Sequence, residues 1–251
     1  EYSQSAYQII ISDSKKGISK ENGNILDTGK KPGAKQNQIK LEADFIPGER
    51  YFISLRVWGL EDNPSEWSEP EPFYTPVNYP IDWQAEWITY DYDPDSPLPV
   101  FRKPFEVEDR NDIDYVRFYI AAPGYYEAFL NGEKIGENVL DPGQTNYEDY
   151  TYYTEYSIDA GDLNNENVLG VMLGNGWYNQ NVVWNSSMIY GQPVFIAQMV
   201  IHYKNGDKQY IGSEKSWKYK SGPFTFSNIY AGDYYDANLE VSDWFEFKTA
   251  E

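Results

Sequence analysis

Between positions 125 and 135 the chain reads YYEAFL, then Asn131-Gly132, then EKI. Asn and Gly accept the positive φ angles of a two-residue type I′ turn, so this dipeptide between apolar runs is the strongest short hairpin signal a sequence offers. The same spacing recurs on both sides. An aromatic-rich run at 101–105 precedes it, and runs at 115–121, 152–158, 168–173, 194–203 and 208–211 share its length, the last two joined through Asn205-Gly206. No 3.6-residue apolar period intervenes. Short strands so arranged predict a jelly-roll β-sandwich over residues 100–251, with one helical turn near 160–163.

Residues 1–78 predict a separate all-β unit. Apolar strands are expected at 7–11, 25–28 and 38–41, and a longer alternating one at 50–58. Asn22-Gly23, Lys31-Pro32-Gly33 and Pro47-Gly48 supply the turns. The close, Arg56-Val57-Trp58-Gly59 and then Ser65-Glu66-Trp67-Ser68-Glu69-Pro70 with Phe73, is similar to the last two strands of fibronectin type III domains. Immunoglobulin-like sandwiches use about seven strands, and five are legible, so this sandwich is expected to be incomplete. Residues 79–99, with Pro80, Pro94, Pro97 and Pro99, read as the linker.

The chain carries 24 Tyr and 8 Trp, which favour half-buried strand positions and keep a polar handle at the surface. Its formal charge is −20. Residues 1–78 hold 9 basic and 12 acidic residues, against 11 basic and 28 acidic in the rest, so the acidity belongs to the second unit. Such a surface repels polyphosphate and anionic lipid, and nucleic acid is excluded as a partner. With no cysteine there are no disulfides, thiolate nucleophiles or cysteine zinc sites. No apolar run approaches a membrane span, and no signal-peptide core opens the sequence. A secreted or periplasmic protein is expected.

The loop at 174–181 is the candidate carbohydrate-binding site. It follows an apolar strand and offers Gly174 and Gly176 for backbone freedom, Trp177 and Tyr178 as flat faces turned toward solvent, and Asn175, Asn179 and Asn181 as amide partners. Aromatic platforms with a few polar groups suit a small concave sugar site; the competing reading is that Trp177 packs under the loop as core. Three acids stand in notable motifs, Glu127, Asp141 and Asp236, and of these Glu127 joins the candidate sugar contacts. Turn and strand-end hydrogen bonding is the alternative role for all three. His202, the single histidine, is expected at an exposed strand end. No catalytic residue, metal ligand or cofactor motif is assigned.

Four blocks together resemble the N-terminal non-catalytic β-domains of bacterial α-L-rhamnosidases of glycoside hydrolase family 78. Gln4-Ser5-Ala6-Tyr7-Gln8-Ile9 with Leu26-Asp27-Thr28-Gly29-Lys30 is the first. The second joins 124–132 to Leu140-Asp141-Pro142-Gly143 and Thr145-Asn146-Tyr147, with Gln144 for the usual Trp and Asn146 for the usual Asp. The third is Val171-Met172-Leu173-Gly174-Asn175-Gly176-Trp177-Tyr178. The fourth runs from Ser221-Gly222-Pro223 through Ser227-Asn228-Ile229-Tyr230 to Gly232-Asp233-Tyr234-Tyr235-Asp236-Ala237, with Asp233 for a usual Glu. The resemblance implies catalysis in a separate (α/α)₆ barrel whose acidic D-x-P-x-R-x-E-R block this sequence lacks. It implies an accessory role on rhamnose-containing glycans or glycosides, with the enzyme's own catalytic domain as partner. The alternative is a self-sufficient rhamnose-binding module. Modules similar to this one use Ca²⁺, so calcium is a candidate ligand, although no defined calcium motif appears.

Overall fold

The computed structural model describes residues 3–18, 23–91, 93, 96–180, 189–240 and 242–246. The chain divides into two compact units, Glu1–Trp83 and Gln84–Glu251. Both are all-β. The single α-helix among the described residues is one turn, α1 (Lys15–Ile18).

In the first unit β1 (Ala6–Ser12), β2 (Leu26–Asp27), β3 (Lys31–Pro32), β4 (Arg50–Trp58) and β5 (Glu71–Tyr74) form one antiparallel sheet. Strand β1 pairs with β4 along one edge and with β2 and β3 in succession along the other. Alternation sorts the side chains by face. Ile9, Ile11 and Tyr51 pack with Ile39, Leu41 and Phe45, while Ile10 and Phe52 pack with Ile18 of α1 and Trp67. The strand expected at 38–41 does not form. Gln38 takes φ +51°, a left-handed conformation that interrupts an extended run, and Ile39 and Leu41 serve as apolar cover instead of ladder.

The second unit is a two-sheet sandwich. One sheet orders β10 (Tyr153–Ile158), β7 (Ile113–Ala121), β12 (Ile196–Tyr203) and β13 (Lys208–Gly212). The other orders β14 (Lys218–Ser221), β6 (Pro99–Glu106), β11 (Glu166–Gly174), β8 (Tyr125–Leu130) and β9 (Glu133–Lys134). A hairpin of β15 (Phe224–Asn228) and β16 (Gly232–Tyr235) stands apart from both. Phe101, Phe118, Ile120, Leu169, Val171, Phe195 and Met199 fill the space between the sheets and are fully buried. Burying each such side chain contributes about 1.5–3 kcal/mol relative to exposure.

Turn chemistry acts as the sequence predicts at the β8–β9 hairpin, where Asn131 and Gly132 take φ +53° and +90°. The Asn131 amide also donates to Asn167 Oδ1 at 2.9 Å and accepts from the Val168 N–H at 2.9 Å, locking the turn to β11. The helical turn expected near 160–163 is a 3₁₀ turn at Ala160–Asp162. Part of the stretch read as linker belongs to the second unit. Ile88 exchanges two backbone hydrogen bonds with Phe195, at 2.9 and 3.1 Å, and Tyr90 lies in the core.

Candidate functional site

Strands β8 and β11 pair so that Glu127 stands opposite Met172 and Tyr126 opposite Leu173. Tyr126 and Leu173 point into the core, which sends Tyr125, Glu127 and Met172 to the outer face. Over that face lies the β15–β16 hairpin, in which Ser227 pairs with Asp233. Between them is a cleft of about 160 Å³ whose lining includes Tyr125, Glu127, Met172, Leu140, Phe224 and Asp233. Glu127 Oε1 accepts from Lys134 Nζ at 2.7 Å. Leu140, at the cleft, is two-thirds exposed and holds φ +55°, a costly conformation for a leucine.

The loop after β11 starts from a backbone-to-backbone contact. Gly124 takes φ +130° and Gly176 φ +49°. A Cβ on Gly124 would lie 2.7 Å from the Gly174 carbonyl oxygen, and one on Gly176 would lie 2.8 Å from the Gly124 carbonyl carbon. Asn175 then donates its amide to the Ser227 carbonyl at 2.9 Å and accepts from Asn179 Nδ2 at 3.1 Å, tying the loop to β15. Gln180 continues the tie, donating to the Gly176 carbonyl and accepting from the Ile229 N–H at 3.3 Å.

Trp177 and Tyr178 are both half-buried. Trp177 stands edge-on to Tyr230, centroids 5.4 Å apart. Tyr178 stacks on Tyr190 at 5.9 Å and meets Tyr147 edge-on at 5.3 Å. Burial raises the pKa of Tyr125 and Tyr178 and pushes Tyr147 up to about 12, so these phenols stay neutral at ordinary pH. Of the five candidate residues, Glu127 thus lines the cleft, Asn175 braces it, and Trp177 and Tyr178 belong to the ring cluster. Asn181 lies outside the described residues. Sequence reasoning missed Phe224 and Asp233, though the Phe-Thr-Phe-Ser alternation at 224–227 was a visible strand signal.

The other acids hold structure. Asp141 accepts hydroxyl hydrogen bonds from Tyr126 at 2.7 Å, Tyr156 at 2.6 Å and Thr154 at 3.1 Å, and an amide bond from Asn138 at 3.3 Å. Burial raises its pKa, but those donors outweigh burial and the net shift is downward. Asp236 accepts from the Asn238 backbone N–H at 2.9 Å and caps a 3₁₀ turn at Ala237–Leu239. Glu214 also sits below the usual carboxylate range, because Lys103 and Ser216 donate to it. A general acid needs the opposite shift. His202 is buried, 5 % exposed, and stacked on Tyr115 at 4.0 Å, not exposed at a strand end as expected. Its strand is central in the sheet, and the flat tyrosine ring covers the imidazole. Among the described residues no three or more His, Asp or Glu side chains are grouped so that they could hold a metal ion.

Residues 111–251 match the family described as the α-L-rhamnosidase N-terminal domain, and residues 1–77 match the Rha78A-like N-terminal immunoglobulin domain. The chain belongs to the α-L-rhamnosidase N-terminal domain family. It is 34 % identical over 270 residues to an α-L-rhamnosidase of Formosa agariphila, covering 96 % of this chain and 28 % of the relative. An α-L-rhamnosidase of Alteromonas sp. is 28 % identical over 254 residues, covering 96 % of this chain and 27 % of the relative. Among solved structures, an α-L-rhamnosidase from Dictyoglumus thermophilum superposes with a TM-score of 0.87 at 35 % identity, over 98 % of this chain and 29 % of that one. A second, from Aspergillus terreus, gives 0.81 at 27 % identity, over 98 % and 28 %. The chain therefore spans under a third of the length of these family relatives.

Proposed function

We propose that this chain is the accessory N-terminal region of an α-L-rhamnosidase acting on rhamnose-containing glycans or glycosides, with catalysis carried by other parts of that enzyme. The observation that carries this reading is the coverage: nearly the whole chain aligns with about 28 % of each named relative. The chemistry agrees. Inverting glycosidases need two carboxyl groups about 6.5–9.5 Å apart, one of them with a raised pKa. Here Asp141 and Asp236 are engaged in fold-holding hydrogen bonds, and Glu127 is paired to Lys134. The reading includes a secreted or periplasmic setting and the enzyme's catalytic domain as partner. No helix among the described residues is long and apolar enough to cross a membrane.

A second reading, a self-sufficient carbohydrate-binding module, is favoured by the cleft on the outer face of β8 and β11. An aryl α-L-rhamnoside assay tests the first. The isolated chain should show no turnover, and an enzyme carrying this region should. Turnover by the isolated chain that disappears on Glu127→Gln would overturn the assignment.

A further inference from the structure

We propose that Trp244 and Phe245 form an anchor that pins the polypeptide to the outer face of the sheet built on β6, β11 and β8, so that the chain beyond them leaves the second unit at a fixed point instead of on a loose tether. For what the anchor holds, the inference rests on the rhamnosidase reading. For the anchor itself it rests on the contact alone.

The sheet has a gap where the anchor lands. Phe129, Gly170, Arg102 and Lys218 stand side by side across β8, β11, β6 and β14. Gly170 is the one member of that row without a side chain, and its strand is the middle one of the five. Glycine weakens a strand interior, and in such a place it marks a close approach by another group. Phe245 is that group. A Cβ on Gly170 would collide with the Phe245 ring, to which its three nearest atoms all belong. The ring is 3 % exposed, stacks on Phe129 with centroids 4.6 Å apart, and shares an apolar cluster with Val100 and Met172.

Trp244 adds a second hold. Two cations approach its ring, Arg102 with Cζ 5.1 Å from the centroid and Lys220 with Nζ at 4.6 Å. Arg102 Nη2 also donates to the Glu246 carbonyl at 3.4 Å. The segment itself is a 3₁₀ turn, Ser242–Phe245, outside the sheets. Trp244 Nε1 and Arg102 Nε are buried without hydrogen-bond partners among the described residues, and each such donor carries a desolvation cost. The two rings therefore carry much of the hold, through packing and cation attraction. Loss of the Phe245 ring, or of the space that receives it, is enough to open the anchor.

The test is limited chymotrypsin digestion of the chain, with cleavage after Trp244 followed by intact mass. Phe245→Ala removes the plug, and Gly170→Ala fills its socket from the strand side. Each should speed that cleavage about tenfold, because proteolysis tracks the population of the opened segment. Cleavage at other sites should keep its wild-type rate, which separates release of the segment from unfolding of the unit. Wild-type rates after Trp244 in both variants would overturn the anchor, and so would acceleration spread evenly over all sites. In an α-L-rhamnosidase carrying this region, Phe245→Ala should broaden the distance distribution from small-angle X-ray scattering, and an unchanged distribution would overturn the positioning role. The hydrolysis assay judges the rhamnosidase reading separately: its failure would leave the digestion result standing.

Discussion

The Tyr126 hydroxyl donates to Asp141 Oδ2 at 2.7 Å, linking the inner face of β8 to the loop that follows the β8–β9 hairpin. Tyr156 of β10 donates to the same oxygen at 2.6 Å, so one carboxylate joins strands from both sheets. Asp141→Ala leaves two phenol hydroxyls without their acceptor and should destabilise the second unit by about 2–4 kcal/mol. Urea denaturation followed by tryptophan fluorescence measures it, and a loss under about 0.5 kcal/mol, the range of ordinary surface changes, would refute the bracing role.

The same group sets an acid limit. Its folded-state pKa lies below the unfolded value, so its contribution is complete above the ordinary carboxylate range and is lost as pH falls through the folded pKa. Stability against pH should therefore drop less steeply on the acid side for Asp141→Asn than for the wild type. Identical acid slopes would show that Asp141 is not among the groups responsible.

Trp177 and Tyr178 are neighbours with different tasks. Trp177→Ala removes a half-buried indole packed on Tyr230, and should cost about 2–4 kcal/mol of stability. Tyr178→Ala removes two ring contacts at a half-buried position and should cost only about 1–2 kcal/mol. Denaturation curves that rank the two variants the other way would contradict this division.

Gly124→Ala should be among the worst small substitutions in the chain. It forces a Cβ toward the Gly174 carbonyl at φ +130°, at a cost of about 1–3 kcal/mol, and pushes β8 away from the loop after β11. Hydrogen exchange should speed up at Tyr178 and Asn179, whose N–H groups donate to the Asn175 carbonyl. Unaltered exchange there would argue that the contact is soft.

Arg117 is a buried charge on β7 whose guanidinium donates to Glu155 Oε1 at 2.8 Å and also reaches the Ser157 hydroxyl. Glu155→Ala strands that charge and should cost about 3 kcal/mol, whereas converting both partners to apolar residues should cost less than the sum of the single changes. A double-mutant cycle decides it; strict additivity would deny the coupling.

Most strands were legible because alternation and Asn-Gly or Pro-Gly turns are local signals, and β4 and β8 begin and end where the sequence places them. Strand 38–41 misled because its apolar residues are real core members while Gln38's left-handed φ leaves no trace in composition. His202 misled because burial in a central strand depends on Tyr115, which is far away in sequence. The cleft was half legible. Glu127 stood in a recognisable motif, whereas its facing wall comes from β15–β16 and depends on a pairing that no local pattern announces.

Strand β6 carries a consequence for how the polypeptide is made. Its Arg102 lies between Gly170 on one side and Lys218 on the other. A ribosome must therefore finish β14 before this sheet can close, and until then the Phe101 ring, fully buried in the end state, waits in an unpaired segment. Contacts so distant along the chain make folding slow. Newly synthesised copies should consequently lean on chaperones while β6 waits, with the acidic charge of residues 79–251 slowing their association in the meantime.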